Sequence, residues 1–495
     1  MDKLNLKNDC LSYKPIGCED TSVTSLHDDT IFALSSGAGT AGVAVVRLSG
    51  PRSFAALEAL TGKAVPKARY AALRLLRDPE SGARLDEALV LAFKGPASFT
   101  GEDVVELHLH GGRAVVMGVL DALDRIEGLR PAEAGEYSRR AFENNKLDLT
   151  EAEGLNDLIH AQTAAQREQA LRQMDGALRE LYEDWRSRLV GHLAHLEADI
   201  DFPDEDLPEG VAGAVKPNIA ALCTEITQHL VDGRRGEALR EGYRIVIMGE
   251  PNAGKSTLLN ALAKSDIAIV SDEEGTTRDV IEIQLDLGGF PVRLIDTAGV
   301  RESTGAIEQE GIRRALKRAE EADLRLVLVR ADDWPILPTS MEKWLDEKAM
   351  LVITQTDRAD MFHVKHDKLP GKVIDVAYVS AKKSHGLDDL FKRLEDHVRD
   401  AMAPREAPSL TRVRHRRALE EAVEHLTRFD QNAGFDAVLA AEDVRMAARA
   451  LAVSLGVSAS RTSLTSFSPT SVSGNELPDV SRGTSDFWPA SLTLT

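Results

Sequence analysis

The feature that most constrains the fold of this chain is the glycine-rich segment Gly249–Ser256, which reads Gly-Glu-Pro-Asn-Ala-Gly-Lys-Ser. The apolar run Tyr243–Met248 precedes it and the segment Thr257–Leu262 follows it, an order that predicts strand, loop and helix. In such a P-loop the backbone N–H groups converge on phosphates, Lys255 reaches the outer phosphates and the hydroxyl of Ser256 ligates Mg²⁺. The sequence therefore predicts a domain that binds a nucleoside triphosphate.

Four later segments follow the P-loop in the order that a GTPase requires: Gly275–Asp279, Asp296–Gly299, Thr354–Asp357 and Ser380–Lys382. Thr277 is expected to complete the Mg²⁺ shell when the γ-phosphate is bound, and Asp296 to approach the metal through water. A carboxylate at Asp357 accepts hydrogen bonds from both the ring N–H and the amino group of guanine, which adenine does not offer. The pattern predicts GTP rather than ATP.

Two positions of the third segment depart from the usual Asn-Lys-x-Asp. Thr354 stands where Asn usually ties the base-reading loop to the P-loop, and Gln355 stands where Lys usually stacks on the base. We therefore expect guanine specificity to be kept and affinity to be lower.

Hydrolysis requires a group that positions water and a charge that stabilises the transferring phosphoryl group, usually Gln and an arginine finger. Val300 follows Asp296–Gly299 and supplies neither. Asn252 is suited to hold a monovalent cation against the phosphates. Glu308 is either a carboxylate that orients water or a solvated acid at a helix start.

Composition limits the class of protein. The chain has 495 residues, too many for one core, and a net charge of −20, which argues against non-specific coating of nucleic acid. Three cysteines, Cys10, Cys18 and Cys223, form neither a disulfide framework nor a zinc site, so we expect a reducing cytoplasm. No apolar run approaches the roughly 20 residues of a membrane span, so we expect no membrane association.

Hydrophobic patterns predict a multidomain protein with α/β domains and an all-α domain. Strand patterns at Thr30–Leu34, Gly42–Leu48, Glu87–Phe93 and Asp103–Leu109 predict an N-terminal α/β domain. Helical periodicity predicts two bundle stretches that pack together, with core positions Leu171, Met174, Leu178, Leu181, Trp185, Leu189, Leu193, Leu196, Leu419, Val423, Leu426, Val438, Leu439, Val444, Leu451 and Val453. The Ras-like P-loop GTPase domain is thus an insertion in a discontinuous helical domain.

The predicted boundaries follow from these patterns. They are a disordered leader or misassigned start at 1–27, the N-terminal α/β domain at 28–145, the first stretch of the helical domain at 146–240, the GTPase domain at 241–402, the second stretch of the helical domain at 403–456 and an atypical tail at 457–495.

With these motifs in place, the chain resembles the MnmE (TrmE) family of tRNA modification GTPases. The resemblance rests on Gly275–Asp279 and on Asp296–Glu302 with Glu308 and Gly311-Ile312. Further blocks that carry it are Gly42–Gly50, Phe99–Asp103, His110–Gly112, Gly135–Ser138, Arg140–Phe142, Lys146–Leu149 and Asp201–Asp206. It covers the chain from about Asp29 to Gly456.

The resemblance implies an N-terminal domain that binds a 5-formyl- or methylene-tetrahydrofolate donor and a GTPase domain that dimerises with K⁺ and GTP. It also implies a homodimer that forms a heterotetramer with the FAD-dependent MnmG and installs a carboxymethylaminomethyl-type group on the wobble uridine of tRNA. By motif match, Asn252, Ser271, Glu273 and Thr276 surround K⁺, Ser256 and Thr277 hold Mg²⁺, and Glu308 is the catalytic carboxylate.

Motifs and resemblance together define the predicted binding residues. Those for GTP are Asn252, Ala253, Gly254, Lys255, Ser256, Thr257, Ser271, Thr276, Thr277, Asp296, Thr297, Ala298, Gly299, Asp357, Ser380, Ala381 and Lys382. Those for folate, by resemblance, are Arg47, Glu106 and Lys146. Because Glu106, His108 and His110 alternate with apolar residues, a solvated strand face also explains them.

The family ends in Cys-Ile-Gly-Lys, whereas this chain becomes rich in Ser and Thr after Leu455-Gly456. When Thr470–Glu476 is written with the permitted codons ACG TCT GTA TCG GGA AAT GAG, reading from the third base gives Val-Cys-Ile-Gly-Lys-stop. We therefore hypothesise that a frameshift produced the tail, which the nucleotide sequence of the gene tests. If the tail is real, we expect GTP turnover to survive and modification to be impaired.

Two other functions are compatible with a GTPase domain. A ribosome-assembly GTPase acting as an RNA-binding switch needs a basic module, and after residue 402 the one dense basic cluster is Arg412, Arg414, Arg416 and Arg417. A signalling switch whose output is protein binding leaves the N-terminal blocks unexplained.

Overall fold

The computed structural model describes residues 28–201, 211–265, 267–269, 282–296, 317–335, 339–358, 372–403, 410–432 and 436–455. The predicted leader at 1–27 and tail at 457–495 lie outside these residues. Across the described ranges, no helix is both long enough and apolar enough to cross a membrane.

The N-terminal domain is a six-stranded sheet whose inner face is covered by helices. Its strands are β1 (Thr30–Leu34), β2 (Ala41–Ser49), β3 (Ala72–Arg77), β4 (Arg84–Phe93), β5 (Val104–Gly111) and β6 (Leu129–Pro131), in the order β3-β4-β5-β2-β1-β6. Its helices are α1 (Ser53–Thr61), α2 (Arg113–Asp124) and α3 (Glu136–Glu143). The four predicted strands are confirmed, while β3 and β6 were missed. All pairs are antiparallel except β1 with β6.

A buried guanidinium joins α3 to the loop before β5. Arg140 is almost fully buried and donates to the Asp29 carboxylate at 2.6 Å and to Glu102 at 3.1 Å. The buried Glu136 accepts a further bond from Arg140, at 3.1 Å. Burial opposes ionisation of Glu136, but hydrogen bonds from Arg130, the Glu133 backbone and Arg140 lower its pKa to about 2. This network fixes the loop that carries Phe99–Asp103.

The helical domain consists of α4 (Leu149–Ile159), α5 (Ala164–Met174), α6 (Ala177–Asp201) and α7 (Val211–Glu241), together with α11 (Val413–Asn432) and α12 (Ala437–Ser454). One core joins α6 and α7 to α11 and α12, so the predicted packing of the two stretches is confirmed. Capping boxes begin α4 at Asp148 and α5 at Thr163.

Four predicted core positions of the bundle are wrong, since Leu171, Val438, Leu439 and Val453 are exposed. Leu181 and Val423 are partly buried and pack against the bundle core, whereas Met174 is only partly buried. The buried face of α12 is rich in alanine, with Ala440, Ala441, Ala447 and Ala448 beside Val444 and Leu451. Small side chains let helices approach closely, whereas the larger Val438, Leu439 and Val453 lie on the exposed side of α12.

The inserted domain is a mostly parallel six-stranded sheet in the order β12-β11-β10-β7-β9-β8. Its elements are β7 (Tyr243–Gly249), α8 (Lys255–Ala263), β8 (Glu282–Leu287), β9 (Phe290–Asp296), β10 (Leu324–Arg330), α9 (Thr339–Glu342), β11 (Ala349–Thr354), β12 (Asp375–Tyr378) and α10 (Leu387–Met402). Strand β7 pairs in parallel with both β9 and β10. The chain order reverses beside β7, where α/β sheets bind ligands at the carboxyl ends of the strands.

Replacing Arg140 by Met is expected to destabilise the N-terminal domain by about 3–5 kcal/mol, because the buried Glu136 then loses a cation. All four tryptophans lie outside residues 28–145, so the measurement is hydrogen exchange of peptides from β1 and α3. The matched control is Arg84→Met, which removes an exposed guanidinium of the same domain that pairs with Glu87 rather than with Glu136. Equal protection in the two variants would contradict a structural role for the buried network.

Candidate nucleotide-binding site

The P-loop geometry follows from two glycines. A Cβ on Gly249 would lie 2.8 Å from the carbonyl oxygen of Leu328 on β10, so a side chain does not fit there. Gly254 has φ +93° and occupies the N-cap position of α8. The first N–H groups of α8 therefore face the cleft, as an anion-binding helix N-terminus requires.

Lys255 lies against the loop that it follows. Its Nζ donates to the carbonyl oxygens of Gly249 and Glu250, both at 2.8 Å. Burial lowers the pKa of Lys255, while the negative charge of Asp296 opposes this shift. Asp296 is itself buried at the end of β9. The structure thus brings the predicted phosphate-binding lysine and the predicted metal-facing carboxylate together.

The predicted base reader Asp357 is held by the next loop. The hydroxyl of the buried Ser380 donates to Asp357 Oδ1 at 2.7 Å, and this bond lowers the pKa of Asp357. Reciprocal backbone bonds between Ser380 and His385 close the loop after β12. Asp357 is therefore ionised at neutral pH and accepts hydrogen bonds, as guanine recognition requires.

The base-reading loop is tied directly to the P-loop. Thr354 Oγ1 donates to the carbonyl oxygen of Ala253 at 2.7 Å, inside the protein. Gln355 Nε2 donates to the carbonyl oxygen of Asn252 at 2.9 Å, and both Asn252 and Gln355 have positive φ. The premise that position 354 has lost this tie is therefore wrong: a threonine hydroxyl supplies it. The lower affinity stays a prediction.

One cleft has a volume of about 530 Å³. It is lined by most of the predicted GTP-binding residues that the structure describes. Those that line it are Asn252, Gly254, Lys255, Ser256, Thr257, Asp357, Ser380, Ala381 and Lys382. Ala253 lies buried behind the loop. Ser271, Glu273, Thr276, Thr277, Thr297, Ala298, Gly299 and Glu308 lie outside the described residues.

Two arginines in the cleft wall were not predicted from the sequence. Arg330 ends β10 and makes a two-pronged ion pair with Asp333, with N–O distances of 2.6 and 2.8 Å. Arg358 follows the base reader and donates to Gln355 Oε1 at 3.0 Å. Both arginines lie at or just after the carboxyl end of a strand, β10 or β11, and ligands bind at that edge of an α/β sheet. Their positions in the sequence could therefore have identified them as cleft residues.

The donor set near the P-loop fits Mg²⁺. A hydroxyl and a carboxylate, from Ser256 and Asp296, are the hard oxygen ligands that this ion prefers, directly or through water. Ser256 lines the cleft. The negative charge of Asp296 partly offsets the burial that lowers the pKa of Lys255, the residue next to Ser256.

In the N-terminal domain, two of the three predicted folate residues pair with each other. Arg47 on β2 is the register partner of Glu106 on β5 and donates to Glu106 Oε1 through Nε at 3.0 Å and Nη2 at 2.8 Å. The Arg47 guanidinium lies 5.5 Å from the ring centre of Phe99 and 5.6 Å from that of Tyr137. Lys146 lies near Gly101 in the loop held by Arg140, since a Cβ on Gly101 would be 3.3 Å from Lys146 Cε.

The chain is similar to known proteins over most of its length. Family models described as the MnmE helical domain and as the GTP-binding protein TrmE N-terminus match residues 149–464 and 30–146. A tRNA modification GTPase MnmE of Parvibaculum lavamentivorans is 54% identical over 425 residues, covering 86% of this chain and 94% of the relative. A human mitochondrial relative named as the GTPB3 subunit of 5-taurinomethyluridine-tRNA synthase is 49% identical, covering 84% and 87%.

Replacing Thr354 by Val is expected to weaken GDP binding about fivefold, because one hydrogen bond of about 1 kcal/mol between the two loops is lost. Isothermal titration calorimetry measures the dissociation constant. Thr354→Ser keeps the hydroxyl and serves as the control. An unchanged dissociation constant in the valine variant would show that the tie does not organise the cleft.

Proposed function

The chain belongs to the MnmE family, and from this premise we propose that it is a potassium-dependent GTPase that modifies the wobble uridine of tRNA. It adds a carboxymethylaminomethyl-type group, acting in the cytoplasm with an FAD-dependent partner, MnmG, and a folate one-carbon donor. The observation that carries the proposal is the cleft in which Lys255, Ser256 and Asp357 converge. The curated relatives bear names of tRNA-modifying enzymes.

Guanine selection rests on the ionised Asp357. Its Oδ1 accepts from Ser380, which orients the carboxylate toward the cleft and leaves acceptor capacity on both oxygens. Lys255 exchanges its contacts with the P-loop carbonyls for contacts with phosphate oxygens, which carry full charge. Binding is therefore strongest to the di- and triphosphates of guanosine.

Hydrolysis is assigned to groups of the P-loop and of the later GTPase segments. Ser256 and Thr277 would hold Mg²⁺, and Glu308 would orient the attacking water. The chemistry that Mg²⁺ and K⁺ would supply here is positive charge near the transferring phosphoryl group. Asn252 lies at the exposed rim of the cleft with φ +67°, and its backbone carbonyl is engaged by Gln355. The side-chain oxygen of Asn252 would hold K⁺ together with Ser271, Glu273 and Thr276, which lie outside the described residues.

Folate is assigned to the open face of the N-terminal sheet. Glu106 uses Oε1 for Arg47, and its Oε2 lies 3.6 Å from His108 Nε2, so an oxygen faces the same surface and suits the N–H groups of a pterin edge. Phe99 and Tyr137 flank Arg47 and supply aromatic surface for a planar ring. The folate supplies the one-carbon unit when bound.

The same open face supports a homodimer. On this face Val43, Leu73 and Leu89 are 57%, 59% and 47% exposed, so apolar side chains of β2, β3 and β4 face solvent there. A second copy of the chain covers this face and places the folate residues beside the contact. The heterotetramer with MnmG is built on this dimer.

Three of the four arginines that an RNA-binding switch would need are engaged inside the protein. Arg412, Arg414 and Arg416 pair with Asp157, Glu153 and Glu237 respectively, at 2.7, 2.6 and 2.9 Å. Their charges are neutralised within the helical domain, which argues against the ribosome-assembly alternative.

GTP turnover is expected to be at least about tenfold faster in K⁺ than in Na⁺, because the ion supplies charge in place of an arginine finger. The stimulation should be lost in Asn252→Ala, measured as phosphate release. Since positive φ strains alanine, Asn252→Gly removes the side chain without that strain. Asn260→Ala, an exposed change on α8, is the control. Equal rates in both salts would remove the potassium mechanism.

Complementation of a strain deficient in this modification tests the tRNA reaction. If the tail after Gly456 is real, we expect this chain to hydrolyse GTP without restoring modified wobble uridine, and a version whose residues after Gly456 are replaced by the family ending to do both. Mass spectrometry of tRNA nucleosides provides the readout. Unmodified uridine with the replaced ending and an active partner would contradict the proposed reaction.

A further inference from the structure

The two connections of the inserted domain meet at one carboxylate. Asp157 Oδ1 on α4 accepts from Arg240 Nε at 3.2 Å and from Arg412 Nη2 at 2.7 Å. Arg240 lies in the last turn of α7, where the chain enters the nucleotide domain, and Arg412 directly precedes α11, where the chain has left it. A single side chain of the helical domain therefore holds both connections.

The entry connection has the geometry of a hinge. Gly242 is the only residue between α7 and the central strand β7, and it has φ +92°. A Cβ at this position would lie 2.7 Å from Arg293 Cγ, so the turn is closely packed. Any rotation of the nucleotide domain against α7 must change the torsion angles at this point, two residues from Arg240.

Helix α5 contacts both sides of this hinge. Gln166 Nε2 donates to the carbonyl oxygen of Arg240 at 3.2 Å. The backbone N–H of Ala165 donates to the carbonyl oxygen of Gly289, in the turn between β8 and β9, at 3.0 Å. The nucleotide sheet and the end of α7 are thus both bonded to the helix that follows Asp157.

The negative charge of Asp157 stabilises two arginines at the junction. The side chains of Asp157, Arg412 and Arg240 are 16%, 19% and 31% exposed, so two partly buried cations share one carboxylate. Glu241 is a more distant partner of Arg240, at 3.9 Å. Without Asp157 the two guanidiniums would face each other with their desolvation uncompensated, and they would separate.

We propose that Asp157 is a positioning residue that sets the orientation of the nucleotide domain on the helical bundle. It acts through Arg240 and Arg412, so a change in the nucleotide domain reaches the bundle only while both arginines are held. The expected consequence, coupling of GTP hydrolysis to tRNA modification, rests on the proposed function. The positioning role itself rests only on the contacts of Asp157 with Arg240 and Arg412.

The test is a distance measurement by pulsed electron resonance. Spin labels are attached to Glu424→Cys on α11 and Lys392→Cys on α10, both exposed, after Cys10, Cys18 and Cys223 are replaced by Ser. An excess of unlabelled chain restricts the signal to pairs within one chain. We expect one narrow distance in GDP and a shifted one with GDP and aluminium fluoride in K⁺. In Asp157→Ala we expect a broad distribution in GDP and loss of the shift.

Two comparisons separate positioning from folding. Glu168→Ala removes an exposed carboxylate whose partner, Arg172, lies on the same helix, and it should leave the distribution narrow. Arg240→Ala combined with Asp157→Ala should be no broader than Asp157→Ala alone, since the two act through one contact. Should the alanine variant not fold, Asp157→Asn replaces it, because it removes the charge and keeps the shape.

The distance measurements test the positioning role of Asp157 separately from the proposed GTPase and tRNA-modifying function. A narrow, nucleotide-responsive distribution in Asp157→Ala would overturn the proposal. A broad distribution in GDP would support it even if GTP turnover proved independent of K⁺, because the GDP measurement needs no hydrolysis.

Discussion

The packing of α6 and α7 against α11 and α12 is the constraint on which the rest of this structure depends. Leu189 and Leu193 share one core with Leu419 and Leu451, which lie more than 200 residues further along the chain. Because this core closes only when both stretches are present, the nucleotide domain between them is anchored at two ends. Its orientation is then a property of the junction at Asp157 rather than of a free linker.

Both candidate sites depend on polar groups that are held by neighbours. Ser380 orients Asp357, and Arg47 orients Glu106. A carboxylate fixed in this way presents its remaining acceptor positions without losing orientational entropy on binding. The two arrangements lie on different sheets, and each combines side chains from more than one strand or loop.

Local sequence patterns predicted elements well where packing and pattern agreed. The four alternating or apolar runs of the N-terminal domain became β1, β2, β4 and β5, and the strand–glycine–helix order became β7, the P-loop and α8. The prediction of core positions failed on α12, where small alanines are buried and the larger Val438 and Leu439 are exposed. Hydrophobicity alone does not say how closely two helices approach.

What the sequence by itself determined is the chemistry of the nucleotide cleft, because glycines, Lys255, Ser256 and Asp357 act through backbone geometry and charge that their spacing already encodes. Only the tertiary structure decided which groups meet across distance. Thr354 reaches Ala253, Arg47 pairs with Glu106, and Asp157 binds both Arg240 and Arg412, over separations that no local pattern records. Such contacts arise when sheets and helices pack and bring buried charges to compensating partners.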